Sequence, residues 1–149
     1  MNGVADSLYN RDILRLAASI PFQRRLDRPM AMAERSSPIC GSRIIVDVLV
    51  DDEGRVRAIG QDVQACALGQ ASASLMGAHV IGRTAGEIGE TKERLSRYLA
   101  GSRPDPGDWP GLAIFAVARN YPARHASILL AFEAAAEAAA LARAEPSRR

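Results

Sequence analysis

The stretch "RIIVDVLVDDEGRVRAIGQDVQAC", Arg43 to Cys66, decides the fold. Ile44, Val46, Val48 and Val50 fall on one face of a strand, and Ile45, Asp47 and Leu49 on the other. Asp52-Glu53-Gly54 makes a tight turn, after which Arg55 to Ile59 alternates polar and apolar residues. Gln61 to Ala65 reads as a further strand that leads into Cys66. Connections this short exclude a parallel crossover, so the expected unit is a three-stranded antiparallel meander.

Helices follow the meander. "ALGQASASLMG" opens a helix over Ala67 to Ile81 whose small residues allow close packing on the sheet. Thr84 and Glu87 have capping-box spacing, and the helix they start turns Leu95, Tyr98 and Leu99 inward before Gly101 stops it. "SRPDPGDWPG" is a loop with Trp109 as its anchor, and Leu112 to Val117 is apolar but too short to type by period. Asn120 as cap and Pro122 in the first turn begin a last helix with Ile128, Leu129, Phe132, Ala136 and Ala139 at helical spacing. Before the meander, Ser7 to Ala18 suggests a short amphipathic helix carrying Leu8, Ile13, Leu14, Leu16 and Ala17. Pro21 to Ser42 shows no period and reads as a mobile arm, over about 21–38, leading to "PICGSR". The expectation is a single α+β domain over 1–149, with a three-stranded antiparallel sheet packed by helices on one side and a frayed tail from about 144 to 149. Its predicted core includes Val46, Val48, Leu75, Leu95, Ile128 and Phe132.

Composition narrows the function classes. A 149-residue chain with 48% hydrophobic and 24% charged residues is ordinary for one globular domain. No apolar run approaches the roughly 18 residues of a membrane span, so no membrane is expected. The first twenty residues contain Asp6 and Asp12 and lack the apolar core of a secretory signal. Two cysteines make no disulfide framework, which points to a reducing, cytoplasmic setting. A net charge of +2 with scattered arginines and few aromatics gives no nucleic-acid footprint.

Chemistry-bearing motifs are sparse. The chain has no Walker A loop, no G-x-G-x-x-G, no C-x-x-C and no G-x-S-x-G elbow, and an enzyme is not expected. Cys66 sits where a strand gives way to a helix, a place where backbone amides favour a thiolate. Cys40 precedes the meander, and the topology can bring both cysteines to one end of the sheet. From residue types alone, both also fit as small buried apolar residues. His79 and His125 are the only histidines.

The order of "CGSRIIVDVLVDDEGRVRAIG", "VQACALGQASASLMG" and "YPARHASILLAFEAA" resembles the IscU, SufU and NifU N-terminal family of iron–sulfur cluster assembly scaffolds, from about Tyr9 to Ala139. In that family a Cys-Gly-Asp precedes the meander, a second cysteine stands at the strand-to-helix junction, and a third begins the last helix, in IscU-type members within His-Cys-Ser. Cys40-Gly41 matches the first motif, Cys66 the second, and His125-Ala126-Ser127 the third without its cysteine. Ser42 replaces the aspartate, and a neutral hydroxyl is a poor ligand for a metal that prefers thiolate and imidazole.

The resemblance implies that Cys40, Cys66 and His125 bind iron, zinc or a nascent iron–sulfur cluster, with water, an outside thiol or a second copy of the chain in a homodimer completing the shell. It implies a cysteine desulfurase and apo iron–sulfur acceptor proteins as partners, with Arg43 and Arg124 at the docking rim. Two alternatives stay open at this point. One is a persulfide-accepting sulfur relay through Cys66 or Cys40, and the other a degenerate paralogue acting as an interaction module.

Overall fold

In the computed structural model, which describes residues 8–39 and 41–144, three strands form one antiparallel sheet in the order β1-β2-β3. They are β1 Ala31–Ser37, β2 Ser42–Val50 and β3 Val56–Gln64. The three-stranded meander is as expected, but its members differ. Ala31–Ser37, read as part of an arm, is the first strand, paired from Ala31 opposite Val48 to Ser37 opposite Ser42. Its period is hidden because only Ala33 and Ser37 are buried, as befits an edge strand with polar residues outward. β3 runs unbroken from Val56 through Gly60, where the sequence reading had split it into two.

The chain reaches β1 by a strap across the sheet. Helix α1, Arg11–Ala17, is capped by Asn10, whose side chain accepts from the Ile13 amide at 2.9 Å. It buries Ile13 against α2, Ala67–His79, and leaves Leu14, expected on its inner face, half exposed. Residue Ser7, the expected start of this helix, lies outside the described residues, as does 145–149 of the expected tail. α2 lies beside β3, whereas β1 is at the opposite edge, so residues 21–30 must cross the outer face.

Hydrogen bonds to β2 and β3 hold the strap. The Gln61 amide donates to the Phe22 carbonyl at 2.9 Å, covering the free edge of β3. Arg25 donates twice to the Asp47 carboxylate, at 2.6 and 3.0 Å, and the Leu26 amide donates a third time at 2.9 Å. Asp47 is fully buried, so these bonds are what make its charge tolerable in the sheet. Beside it, a Cβ on Gly60 would lie 2.3 Å from the Arg24 carbonyl oxygen, which only glycine permits.

The inner face carries the core. Helix α3 is Ala85–Leu99 and helix α4 is His125–Ala144, with 3₁₀ turns at Leu112–Ala118 and Pro122–Arg124 between them. α4 lies on β1 and β2 and is flanked by α2 and α3. The stretch Pro122–Ala144 has the length and hydropathy of a membrane span, and here its apolar residues Ile128, Phe132, Ala135 and Ala139 are spent on the core. All six predicted core residues are buried. The capping box forms as expected: Thr84 Oγ1 accepts from the Glu87 amide and Glu87 Oε1 from the Thr84 amide. The Thr84 amide, before any other cause, holds the Glu87 carboxyl below its ordinary range. Trp109 anchors its loop, donating from Nε1 to the Leu75 carbonyl at 2.9 Å and standing edge-on to Phe132. Pro122 takes the first position of its turn, but Tyr121 rather than Asn120 precedes it, with no side-chain cap.

One close approach sets the end of the molecule that carries Cys66. A Cβ on Gly69 would lie 2.8 Å from both the Ala65 Cβ and the Ser127 Oγ. Glycine there lets the first turns of α2 and α4 touch.

Two substitutions test this packing. Phe132→Ala removes a fully buried ring and should cost about 3–5 kcal/mol in denaturant unfolding. A loss below about 1 kcal/mol would mean the wrong face of α4 is inward. Gly69→Ala should also destabilise, by about 1–2 kcal/mol, since overpacking outweighs the roughly 1 kcal/mol gain in helix propensity. A stabilised variant would show that the two helices are not held in contact.

Candidate functional site

Three elements meet where β3 ends. Cys66 is the N-cap of α2, in extended conformation with φ −67° and ψ 171°. That is the strand-to-helix junction expected from sequence. Serine, threonine and aspartate at an N-cap usually bond the helix amides. The Cys66 side chain makes no such bond. Its sulfur turns to α4, where Ser127 Oγ is 3.1 Å away. Ser127 Oγ lies a further 3.2 Å from Ser42 Oγ at the start of β2. Both serines are buried, whereas Cys66 is half-buried and open on one side.

Cys40 itself lies outside the described residues, but the chain on either side is placed. Ser37 pairs with Ser42, so β1 and β2 are joined as a hairpin, with residues 38, 39 and 41 in its connection. The Gly41 amide donates to the Ser37 carbonyl at 2.8 Å, and Gly41 takes φ +72° to close the turn. This hairpin opens at the end of the sheet where Ser42 meets Ser127. The strand unrecognised in the sequence is therefore what carries the Cys40 segment.

His125 is the first residue of α4 and half-buried. Its Nε2 donates to the Ala118 carbonyl at 2.8 Å, which ties the ring to the preceding 3₁₀ turn. A carbonyl can only accept, so Nε2 carries the proton and Nδ1 is the nitrogen left to coordinate. Ser127 is two residues on, about 200° around the helix axis. The turn that aims Ser127 at Cys66 therefore puts His125 on another side of α4, with its ring held against the 3₁₀ turn. Ala126 lies between them, half-buried. Among the described residues no three His, Cys, Asp or Glu side chains form a group able to hold a metal ion. His79 is at the far end of α2, edge-on to Trp109 and about 18 Å from the Cys66 end by helical rise.

Ser127 and Ser42 are the residues at this site to which sequence reasoning gave no role. A signal for Ser127 was present. It stands on the buried stripe of α4 with Ile128 and Ala131, and a buried hydroxyl must find partners. Nothing local in the sequence marks Ser42 as its neighbour, because the two are 85 residues apart.

Comparison with known proteins agrees with this architecture. The chain is 31% identical over 131 residues to the iron–sulfur cluster assembly scaffold protein IscU of Thermotoga maritima, covering 88% of this chain and 92% of that one. A crystal structure of a nitrogen-fixing NifU-like protein (N-terminal) from Brucella abortus superposes with a TM-score of 0.85 at 35% identity, covering 97% of this chain and 100% of that one. The fold is shared also with a proposed SUF-system cluster assembly scaffold from Fervidobacterium islandicum AW-1, at TM-score 0.82 and 21% identity, over 91% of this chain and 98% of that one. The family described as the NifU-like N-terminal domain matches residues 12–127, a span that begins in α1, takes in Cys40, Cys66 and His125, and ends on Ser127; the chain belongs to this family.

Proposed function

We propose that this chain is an iron–sulfur cluster assembly scaffold or carrier, holding iron or a nascent cluster at the end of the molecule where α2 and α4 meet. The observation that carries the reading is the match along nearly the whole chain to a scaffold of that name, with Cys66 at a half-open helix N-cap beside the first turn of α4. Cluster and iron are the cargo here. Cys66 and Cys40 offer thiolates, the ligands that iron–sulfur clusters take. His125 stands in the same first turn of α4 but on another side of it from Ser127. Its imidazole, with Nε2–H on a backbone carbonyl as metal-bound histidines commonly have it, can therefore reach through Nδ1 only a cargo that lies outside the Cys66–Ser127 contact.

Ala126 shapes how the site works. A methyl group cannot ligate, so one chain supplies at most two thiolates. A [2Fe–2S] cluster usually takes four. The remainder comes from outside: a second copy of this chain, or thiols of the donor and acceptor proteins. A shell borrowed in this way is easily exchanged, which suits cargo that must be passed on. The partners this implies are a cysteine desulfurase that supplies sulfur and apo-proteins that take the cluster. Arg43 and Arg124, both half-buried and next to the two motifs in sequence, are the residues proposed for the rim that meets them. The compartment that fits unpaired thiols is the cytoplasm.

Anaerobic reconstitution with iron and sulfide tests the reading. The wild-type protein should turn brown, absorb in the visible and bind iron, and Cys66→Ser should lose most of that iron while staying folded. A colourless, iron-free wild-type protein would contradict the scaffold function, and so would full loading of Cys66→Ser.

A further inference from the structure

Cys66 occupies a helix N-cap without capping the helix, and its sulfur is instead met by a buried hydroxyl, Ser127 Oγ at 3.1 Å. That hydroxyl also meets Ser42 Oγ at 3.2 Å. A hydroxyl has one proton, so Ser127 can donate to only one of the two. A cysteine that ligates metal does so as thiolate, which has no proton and can only accept. In the loaded protein Ser127 then donates its one proton to the Cys66 sulfur and can only accept at Ser42.

We propose that Ser127 is the positioning residue of this site, the group that holds the Cys66 sulfur in the direction from which it ligates. The proposal rests on the scaffold reading and deepens it. The geometry supports it in two ways. Ser127 has no solvent exposure, so water does not compete for its proton. Its place is fixed by packing as well, because Gly69 brings the first turn of α4 against α2 so closely that no side chain fits between. Hydrogen bonds to ligating atoms orient the ligand and tune the metal, and losing one typically weakens metal binding 10–100-fold. With alanine at 126 the chain has few ligands, so the aim of each thiolate counts for more.

The test is an anaerobic titration with cobalt(II), followed by its sulfur-to-cobalt charge-transfer absorption, on wild type, Ser127→Ala and Ser127→Thr. Ser127→Ala should bind cobalt about tenfold or more weakly and with a shifted band, while Ser127→Thr, which keeps the hydroxyl, should return to within about threefold of wild type. Thermal unfolding of each variant separates loss of fold from loss of aim. Should Ser127→Ala not fold, Ser127→Thr and Ser127→Val make the same comparison, being matched in shape and differing only by the hydroxyl. The threonine variant should then bind at least about tenfold more tightly. Equal affinity of wild type and Ser127→Ala, or of the threonine and valine variants, overturns the proposal alone. A wild-type protein that takes no cobalt overturns the scaffold reading and this proposal together.

Discussion

The contact between the first turns of α2 and α4 is the constraint on which the candidate site depends. At Gly69 the two helices stand so close that a Cβ would lie 2.8 Å from Ser127 Oγ. That approach puts Ser127 against Cys66, and Ser127 in turn reaches Ser42 at the start of β2. One residue without a side chain thus joins three elements far apart in sequence. The apolar core below them, with Ile128 and Phe132 of α4 fully buried, keeps the helix from sliding and so keeps the hydroxyls in register. Packing, rather than any local motif, makes the site.

The strap does the corresponding work on the other side of the sheet. Chain order places α1 with α2 and β1 at the far edge, so residues 21–30 must travel across the outer face. A buried aspartate and a bare glycine receive them there. Asp47 takes three hydrogen bonds from Arg25 and Leu26, and Gly60 admits the backbone of Arg24. Once the strap is down, β1 pairs along β2 and ends in the hairpin that carries the Cys40 segment. The two cysteine-bearing segments therefore depend on opposite faces of one sheet.

Much of this was legible because the signals were local. Alternation over Ile44 to Val50, the Thr84–Glu87 box and the spacing of Ile128 and Phe132 each sit within a few residues, and each element formed. Cys66 at the junction was legible for the same reason. β1 was not, because an edge strand with two buried residues of seven carries no period, and its pairing is set by β2 rather than by its own side chains. The split at Gly60 had a similar cause. A glycine inside a strand looks like a break until the backbone crossing above it is known. At the site, the motif positions 40, 66 and 125 were readable as a pattern. The Ser42–Ser127–Cys66 contacts were not, since they span 85 and 61 residues and arise only from packing.

The central claim is that one end of this molecule brings two thiolates to shared iron. A crystal structure of the anaerobically iron-loaded protein, with iron located by its anomalous scattering, tests it most directly. The account predicts iron at that end, about 2.3 Å from the sulfur of Cys66, the ordinary length of a tetrahedral metal–thiolate bond, with the Cys40 sulfur ligating the same ion or cluster. Iron bound elsewhere, or Cys66 and Cys40 sulfurs too far apart to share one ion or small cluster, would contradict it.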